Sequence, residues 1–149
     1  MNRKPIVLML EDDSDRIGRF ESVLAANGCG LLCYRTASSF IDSYCTVLQD
    51  VSLISLDHDL IPESEYEDDP GDGREVSRFL ATQYPHFHTI IHSSNFECAE
   101  SMFFTLLEVG WDVEKVAPIG NDWIESYWWP IAKPWLRRGL NRDLVREIR

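Results

Sequence analysis

Three polar clusters hold the side chains of this sequence that could carry out chemistry, and each follows a short apolar run. They are Glu11-Asp12-Asp13, Asp57-His58-Asp59 and His92-Ser93-Ser94-Asn95. Carboxylates gathered at one place repel one another unless a cation, a proton or solvent offsets their charges. Hard divalent cations prefer oxygen ligands, and Mg²⁺ is usually held by a few carboxylates and waters. The two acidic clusters therefore predict a site for Mg²⁺ or Mn²⁺.

The third cluster suggests phosphate binding next to that metal. His92 ends an apolar run, and the hydroxyl and amide groups of Ser93, Ser94 and Asn95 follow it, within reach of a bound phosphate. In this reading His92 is a general acid, or a donor to phosphate. Ser and Asn are also common helix caps, and a simple cap would leave His92 as a spectator.

The second cluster carries a further candidate acid or base, His58, between Asp57 and Asp59. Successive side chains of a strand point to opposite faces, so His58 either faces the site or points away from it. The sequence leaves that choice open. Asp57 is the carboxylate that we expect to take part in catalysis together with the histidines.

The elements that must position these clusters alternate between strands and helices. Strands are predicted at residues 6–10, 31–34, 53–57, 89–91 and 113–118, and helical periodicity lies between them. This alternation indicates an α/β fold with a doubly wound five-stranded parallel sheet, flavodoxin-like, and helices on both faces. Right-handed crossovers bring the ends of the first, third and fourth strands to one rim, where open sheets bind their ligands.

Local signals refine this scheme. Ser14 or Asp15 is predicted to cap the first helix, and Thr36–Ser39 the second. Residues 62–72 are rich in acidic residues, Pro and Gly, and are predicted to form a long loop. His86 and His88 are predicted to be surface residues.

The end of the chain, from Asn121, is helical and aromatic. Pro130 and Pro134 are expected to interrupt it. Its tryptophans are expected to pack on the sheet or on a partner, and a homodimer through this segment is one expectation. The predicted organisation is a single domain, residues 1–149, with a core at 5–128 and a helical extension at 129–149.

Bulk properties limit the function classes. The chain has 149 residues and a net charge of −11, which argues against binding to the backbone of double-stranded nucleic acid. Its four cysteines lack zinc-site spacing and indicate reduced thiols of a cytoplasmic protein. No signal peptide and no membrane-spanning run are apparent, so membrane association is not expected.

Several of these motifs together resemble the receiver domain of two-component signalling. They are the strand ending in Glu11-Asp12-Asp13, the strand ending in Asp57 with Pro62 shortly after it, the Asp72-Gly73 helix start, and the hydroxyl residues after the fourth strand. The resemblance covers roughly residues 5–128.

That resemblance implies a role for each matching acid. Glu11 and Asp12 match the acid pair that binds magnesium, and Asp57 matches the aspartate that accepts a phosphoryl group. Asp59 matches the position whose backbone carbonyl joins the metal shell. The implied metal ligands are thus Glu11, Asp12, Asp57 and Asp59.

Two departures separate the chain from ordinary receivers. Receivers usually carry a lysine before a proline after the fifth strand, whereas this chain has Ala117-Pro118, with Lys115 two places early. They also usually have a lone Ser or Thr after the fourth strand, where this chain has His92-Ser93-Ser94-Asn95. The L-D-H-D-L and H-S-x-N motifs are similar to a divergent family, the cyclic-phosphate-processing receiver domain.

Two functions follow as expectations. The first is a metal-dependent phosphoesterase that hydrolyses a cyclic phosphate or another phosphorylated small molecule. The alternative is a stand-alone receiver that a phosphodonor protein or molecule phosphorylates on Asp57 and that signals through partner binding. A third reading is a degenerate receiver fold that only mediates interactions through its aromatic tail.

Overall fold

Five parallel strands form one sheet. The structure is a computed structural model that describes residues 3–62, 64 and 68–148, with side chains as far as Arg138. The strands are β1 (Ile6–Leu10), β2 (Gly30–Tyr34), β3 (Leu53–Leu56), β4 (His88–Ile91) and β5 (Asp112–Lys115). The helices are α1 (Ser14–Ala26), α2 (Ala37–Val47), α3 (Gly73–Ala81), α4 (Phe96–Leu107) and α5 (Trp129–Ile148). A 3₁₀ turn lies at Leu48–Asp50 and a π-helical turn at Ile124–Trp128.

The strand order is β2-β1-β3-β4-β5, with every neighbouring pair parallel. This confirms the predicted doubly wound α/β fold. Leu10 pairs with Leu56, and Leu56 pairs with Ile91. The three strands therefore end in register, and the residue after each end lies on the same rim of the sheet.

Side-chain alternation along the strands sorts the core into two layers. Leu8, Leu10 and Leu56 belong to the cluster that packs under α2, α3 and α4. Val7 and Leu53 belong to the cluster that packs under α1, the π-helical turn and α5. Two apolar faces of this kind are what a parallel sheet needs, because helices cover it on both sides.

The first two helices begin within one residue of the caps predicted from the sequence. The cap of α1 is Asp13, whose carboxylate accepts from the backbone N–H of Arg16 at 3.0 Å, so the prediction of Ser14 or Asp15 was wrong. Asp13 has the extended backbone of a cap, and Ser14 is already helical. Thr36 caps α2, as predicted.

Other boundaries differ modestly. Strand β5 ends at Lys115, three residues before the predicted end. Of the predicted loop at 62–72, the described residues are non-helical up to Asp72, which caps α3. Glu63 and residues 65–67 lie outside the described part of the chain.

The proline-rich start of the C-terminal segment does not interrupt it. Trp129 donates its backbone N–H to Ile124 O in the π-helical turn, and α5 then runs on with Pro134 inside it. Pro130 is the second residue of α5 and directly follows the π-helical turn, and it has no N–H to donate to that turn. The tryptophans pack on the sheet, as one of the two expectations had it: Trp123 and Trp128 are buried in the core.

His88 corrects a second sequence expectation. It begins β4, and its side chain is only 1% exposed. Its ring stacks on Trp135 of α5 with centroids 4.0 Å apart, because α5 extends over this end of the sheet. His86 is exposed, as predicted. All four cysteines are free thiols, and none of the described helices is long and apolar enough to cross a membrane.

Candidate functional site

Three side chains meet at the carboxyl-terminal rim because they occupy equivalent positions in adjacent strands. Glu11, Asp57 and His92 each follow one of the paired residues that end β1, β3 and β4. Backbone hydrogen bonds extend the pairing by one step, from Asp57 N to Leu10 O and from His92 N to Leu56 O. All three side chains therefore point to the face that α1 covers.

The carboxylates of Glu11, Asp12 and Asp57 form one cluster. One oxygen from each lies within 4.8 Å of the others. Glu11 is fully buried, Asp57 is 5% exposed, and Asp12 is half-buried. An all-oxygen set of this size fits a hard divalent cation such as Mg²⁺.

Glu11 is held as the ionised member of the cluster. Its Oε2 accepts from the backbone N–H groups of Asp12 and Asp13, at 2.9 and 3.2 Å. Burial by itself raises the pKa of Glu11. The hydrogen bond and charge of His92, the Asp13 N–H and the Arg16 guanidinium outweigh that effect and lower the pKa to about 2.

The pKa of Asp57 is shifted in the opposite direction. Burial, and then the negative charge of Glu11, raise the pKa of Asp57 to about 8, against the weaker effect of a hydrogen bond from the backbone N–H of His58. At neutral pH and without a metal, the pair Glu11–Asp57 therefore retains one proton, which resides mainly on Asp57.

His92 lies behind Glu11 in a chain of three hydrogen bonds. The Trp128 indole N–H donates to Ser55 Oγ at 2.9 Å, and Ser55 Oγ lies 2.6 Å from His92 Nδ1. Because the indole can only donate, the hydroxyl proton of Ser55 is available for Nδ1. With Nδ1 accepting from Ser55, a ring proton resides on Nε2, which faces Glu11 Oε1 at 3.3 Å.

His92 thus faces the acidic cluster, but it is fully buried and is not among the residues that line the cavity. His58 takes the other alternative and points away. Its Nδ1 lies 2.7 Å from Asp59 Oδ1, and its Nε2 lies 3.9 Å from Asp72 Oδ2, at the start of α3. Strand alternation explains why the histidine beside Asp57 in sequence is not its neighbour in the site.

Of the three residues after His92, two take part in capping α4 and one lines the cavity. Asn95 caps α4 by accepting from the Cys98 N–H at 3.2 Å, and the buried Ser93 hydroxyl accepts from the Asn95 N–H at 3.1 Å. Ser94 is exposed and lines the cavity above the acids. The structure therefore places one of the three predicted phosphate ligands at the cavity.

That cavity has a volume of about 530 Å³. Its lining includes the predicted residues Asp12, Asp57, Asp59 and Ser94 and the exposed Ile61, whose N–H donates to Asp12 Oδ2 at 2.5 Å. Asp59 belongs to the lining but not to the three-carboxylate cluster. A larger groove of about 1130 Å³ lies where the strands begin, and among the described residues no three potential metal ligands cluster there.

Two arginines at the cavity were not found by sequence reasoning. The Arg16 guanidinium lies 3.7 Å from Glu11 Oε1 and 3.8 Å from Asp57 Oδ2. Arg35 donates to the backbone carbonyl of Asp12 and to Ser14 Oγ, both at 2.9 Å. The position of Arg16 could have been predicted from the sequence, because it lies one helical turn after the cap Asp13, which directly follows Glu11 and Asp12.

The lysine that receivers usually carry after the fifth strand is replaced by Ala117, and the nearby Lys115 does not reach the acids. Lys115 forms an ion pair with Glu100 and lies over the rings of Phe96 and Phe103, on the α4 side of the sheet. Ala117 offers no charge in its place. Near the acids, the positive charge comes from Arg16 and Arg35.

This geometry can be compared with known proteins. A family model described as "Cyclic-phosphate processing Receiver domain" matches residues 6–108. No curated protein resembles the chain closely enough to count as a match.

Solved receiver domains share the fold at low identity. The signal receiver domain of a putative Luxo repressor protein from Vibrio parahaemolyticus has 18% identity and a TM-score of 0.67, covering 95% of this chain and 97% of its own. The BeF₃-activated receiver domain of Klebsiella pneumoniae RstA has 15% identity and a TM-score of 0.63, covering 89% and 98%. A chain of the CheX-CheY-BeF₃-Mg²⁺ complex from Borrelia burgdorferi has 13% identity and a TM-score of 0.60, covering 86% of this chain and 89% of its own.

Proposed function

Since the chain belongs to the cyclic-phosphate processing receiver family, we propose that it binds a divalent cation and hydrolyses a small cyclic phosphate or phosphoester. The observation that carries the proposal is a cluster of three carboxylates, two of which, Asp12 and Asp57, line a cavity of about 530 Å³ together with Arg16. Carboxylates suit Mg²⁺ or Mn²⁺, and a guanidinium suits phosphate oxygens. A cavity of this volume suits a nucleotide-sized ligand.

In this proposal Glu11, Asp12 and Asp57 hold the metal, with the backbone of Asp59 at the edge of its shell. The bound ion would supply Lewis-acid polarisation of a phosphoryl oxygen and a more acidic water. Hydrolysis adds water across one ring P–O bond: the water oxygen bonds to phosphorus, and the released ring oxygen takes up a proton. Ser94 is the proposed donor to a remaining phosphate oxygen.

We assign His92 the role of orienting and polarising Glu11. Its Nε2–H points at that carboxylate, and its Nδ1 is occupied by Ser55, so direct protonation of the leaving oxygen would require Glu11 to move. A hydrogen bond from a neighbouring side chain to a metal-binding carboxylate fixes the orientation of that carboxylate and tunes its basicity. His58, on the other side of β3, is proposed to hold the loop that carries Asp59.

The test is turnover of nucleoside cyclic phosphates with five- and six-membered rings by the Mg²⁺-loaded protein, followed by phosphorus NMR. We expect ring opening that stops with a chelator and with Asp57→Asn. Asp42→Asn, the same change at an exposed position of α2, should leave turnover intact. If the metal-loaded protein opens no ring in the panel while Asp57 accepts a phosphoryl group, hydrolysis is refuted.

The second candidate function is that of a receiver phosphorylated on Asp57. It is favoured by the position of the Asp57 carboxylate at the cavity, beside Arg16 and the acid pair. Incubation with a small phosphodonor and Mg²⁺ should then add one phosphoryl group by intact mass. The addition should be lost in Asp57→Asn and retained in Asp42→Asn.

A further inference from the structure

The Arg16 guanidinium is an unusual group in this site because its hydrogen-bonding capacity is unused. Its closest acceptors, Glu11 Oε1 and Asp57 Oδ2, lie at 3.7 and 3.8 Å, beyond hydrogen-bond distance. Among the residues that the structure describes, no other acceptor takes a hydrogen bond from this side chain. Yet the side chain is only 28% exposed. A guanidinium offers five N–H donors, so a partly buried one whose nearest protein acceptors lie beyond hydrogen-bond distance can bind an anionic ligand.

The neighbouring cations differ from Arg16 in this respect. Arg35 donates to Asp12 O and Ser14 Oγ, which fix it on the loop after β1. Arg19, one turn further along α1, binds Glu125 Oε2 at 2.9 Å. Lys115 is paired with Glu100. Arg16 is therefore the cation of the described site that can rearrange without breaking a hydrogen bond of its own side chain.

Two features hold Arg16 at the cavity. Its backbone N–H is bound by the Asp13 cap, and its guanidinium lies 5.6 Å from the ring centroid of the buried Trp123. A cation over an indole face is attracted by the ring quadrupole. Arg16, Ser94 and Asp57 all line the cavity. An anion bound in it would therefore lie close to the guanidinium.

From these contacts we propose that Arg16 is the phosphate-binding residue of the site and that it serves as a counter-ion to Glu11 and Asp57 until a divalent cation takes its place. The proposal rests on the metal and phosphate binding proposed above. A cation among the three carboxylates would repel the nearby guanidinium, because like charges at such distances interact strongly in a partly buried site. The arginine side chain can then pair with phosphoryl oxygens in a bidentate manner.

This dual role predicts effects of opposite sign on two ligands. In Arg16→Gln, Mg²⁺ alone should bind about threefold to tenfold more tightly, because a competing positive charge is gone. Beryllium fluoride, a phosphoryl mimic, should bind the Mg²⁺-loaded variant about tenfold or more weakly, because charge-assisted hydrogen bonds are lost. A variant that merely disturbs the fold would weaken both ligands.

The matched control is Arg19→Gln, which removes the same charge from the same helix. Arg19 contacts Glu125 and Asn121, so both affinities should stay within about twofold of the wild-type values, as expected for a screened surface charge. Arg16→Lys keeps the charge but not the planar fork. It should bind Mg²⁺ like the wild type and bind beryllium fluoride less tightly than the wild type.

Calorimetric titration of the full chain, with thermal unfolding as a check on folding, measures all of these affinities. Tighter Mg²⁺ together with weaker beryllium fluoride in Arg16→Gln supports the assignment. If the wild type binds both ligands and Arg16→Gln binds both equally well, or both less well, the role of Arg16 is refuted and the metal site stands. If the wild type binds no Mg²⁺, the proposed function fails and this assignment with it.

Discussion

The substitution Asp57→Asn should stabilise the metal-free protein, although it removes a residue of the site. Burial and the charge of Glu11 raise the pKa of Asp57 from 3.8 to about 8. At about 1.4 kcal/mol per pKa unit, ionisation of this group opposes folding by up to about 4 kcal/mol at pH 7. The pKa of Glu11 is shifted in the opposite direction, and the contact between Asp57 and Arg16 is lost in the variant. Because both effects offset part of this energy, we expect a net gain of about 1–3 kcal/mol in the free energy of unfolding.

The sign of the pH dependence follows from the raised pKa. A carboxyl whose folded-state pKa exceeds its unfolded value contributes stability below pH 3.8, and this contribution is lost as the pH rises towards 8. The asparagine does not titrate. The gain in the free energy of unfolding of Asp57→Asn over the wild type should therefore be small near pH 4, grow through neutral pH and level off above pH 8.

Urea denaturation with a chelator at pH 5, 7 and 8 measures this difference. Asp42→Asn, an exposed change of the same kind, should alter the free energy of unfolding by less than about 0.5 kcal/mol at each pH. Adding Mg²⁺ should stabilise the wild type and not Asp57→Asn. An unchanged or lower stability of Asp57→Asn, in parallel at all three pH values, would refute the claim that burial and the charge of Glu11 disfavour ionised Asp57 in the folded protein.

Three further predictions test the supports of the site. Gly73→Ala should cost about 1–3 kcal/mol in urea denaturation, because its Cβ would lie 2.2 Å from Asp57 O, whereas Gly18→Ala in open space on α1 should be neutral or stabilising. Ser55→Ala should cost about 2–4 kcal/mol by leaving two buried nitrogens unpaired, and the double variant with Trp128→Phe should cost less than the sum of the two. Calorimetric Mg²⁺ affinity should rise by up to about tenfold per pH unit up to pH 8 and then level off, since binding displaces the Asp57 proton; a flat profile would contradict this.

Much of this site could be predicted because it depends on strand ends and alternation. Glu11, Asp57 and His92 each follow an apolar run, and once three parallel strands end in register, residues after those ends must meet. The same rule sends His58 to the other face. The orientation of His58 stayed open because the sequence does not show whether strand geometry continues beyond the last paired residue of the strand.

The parts that were missed depend on packing between elements far apart in sequence. His88 is buried because α5 continues past Pro134 and brings Trp135 over the end of β4. Ser55 looked like an isolated polar residue in an apolar strand, and its partner Trp128 lies 73 residues away. Local propensity contains no information about such contacts.

Charge accounting at the site indicates the order in which ligands bind. With Glu11 and Asp12 counted at their formal charges, a protonated Asp57 and a positive Arg16 leave one net negative charge among these four groups at neutral pH when no metal is bound. A phosphate would meet that charge in a chain that already carries −11. A divalent cation that displaces the Asp57 proton brings the four groups and the metal to neutrality. It also frees the Arg16 guanidinium from its two carboxylates. Phosphate should therefore bind after the metal, and the raised pKa of Asp57 prevents a second uncompensated negative charge from building up in the metal-free site.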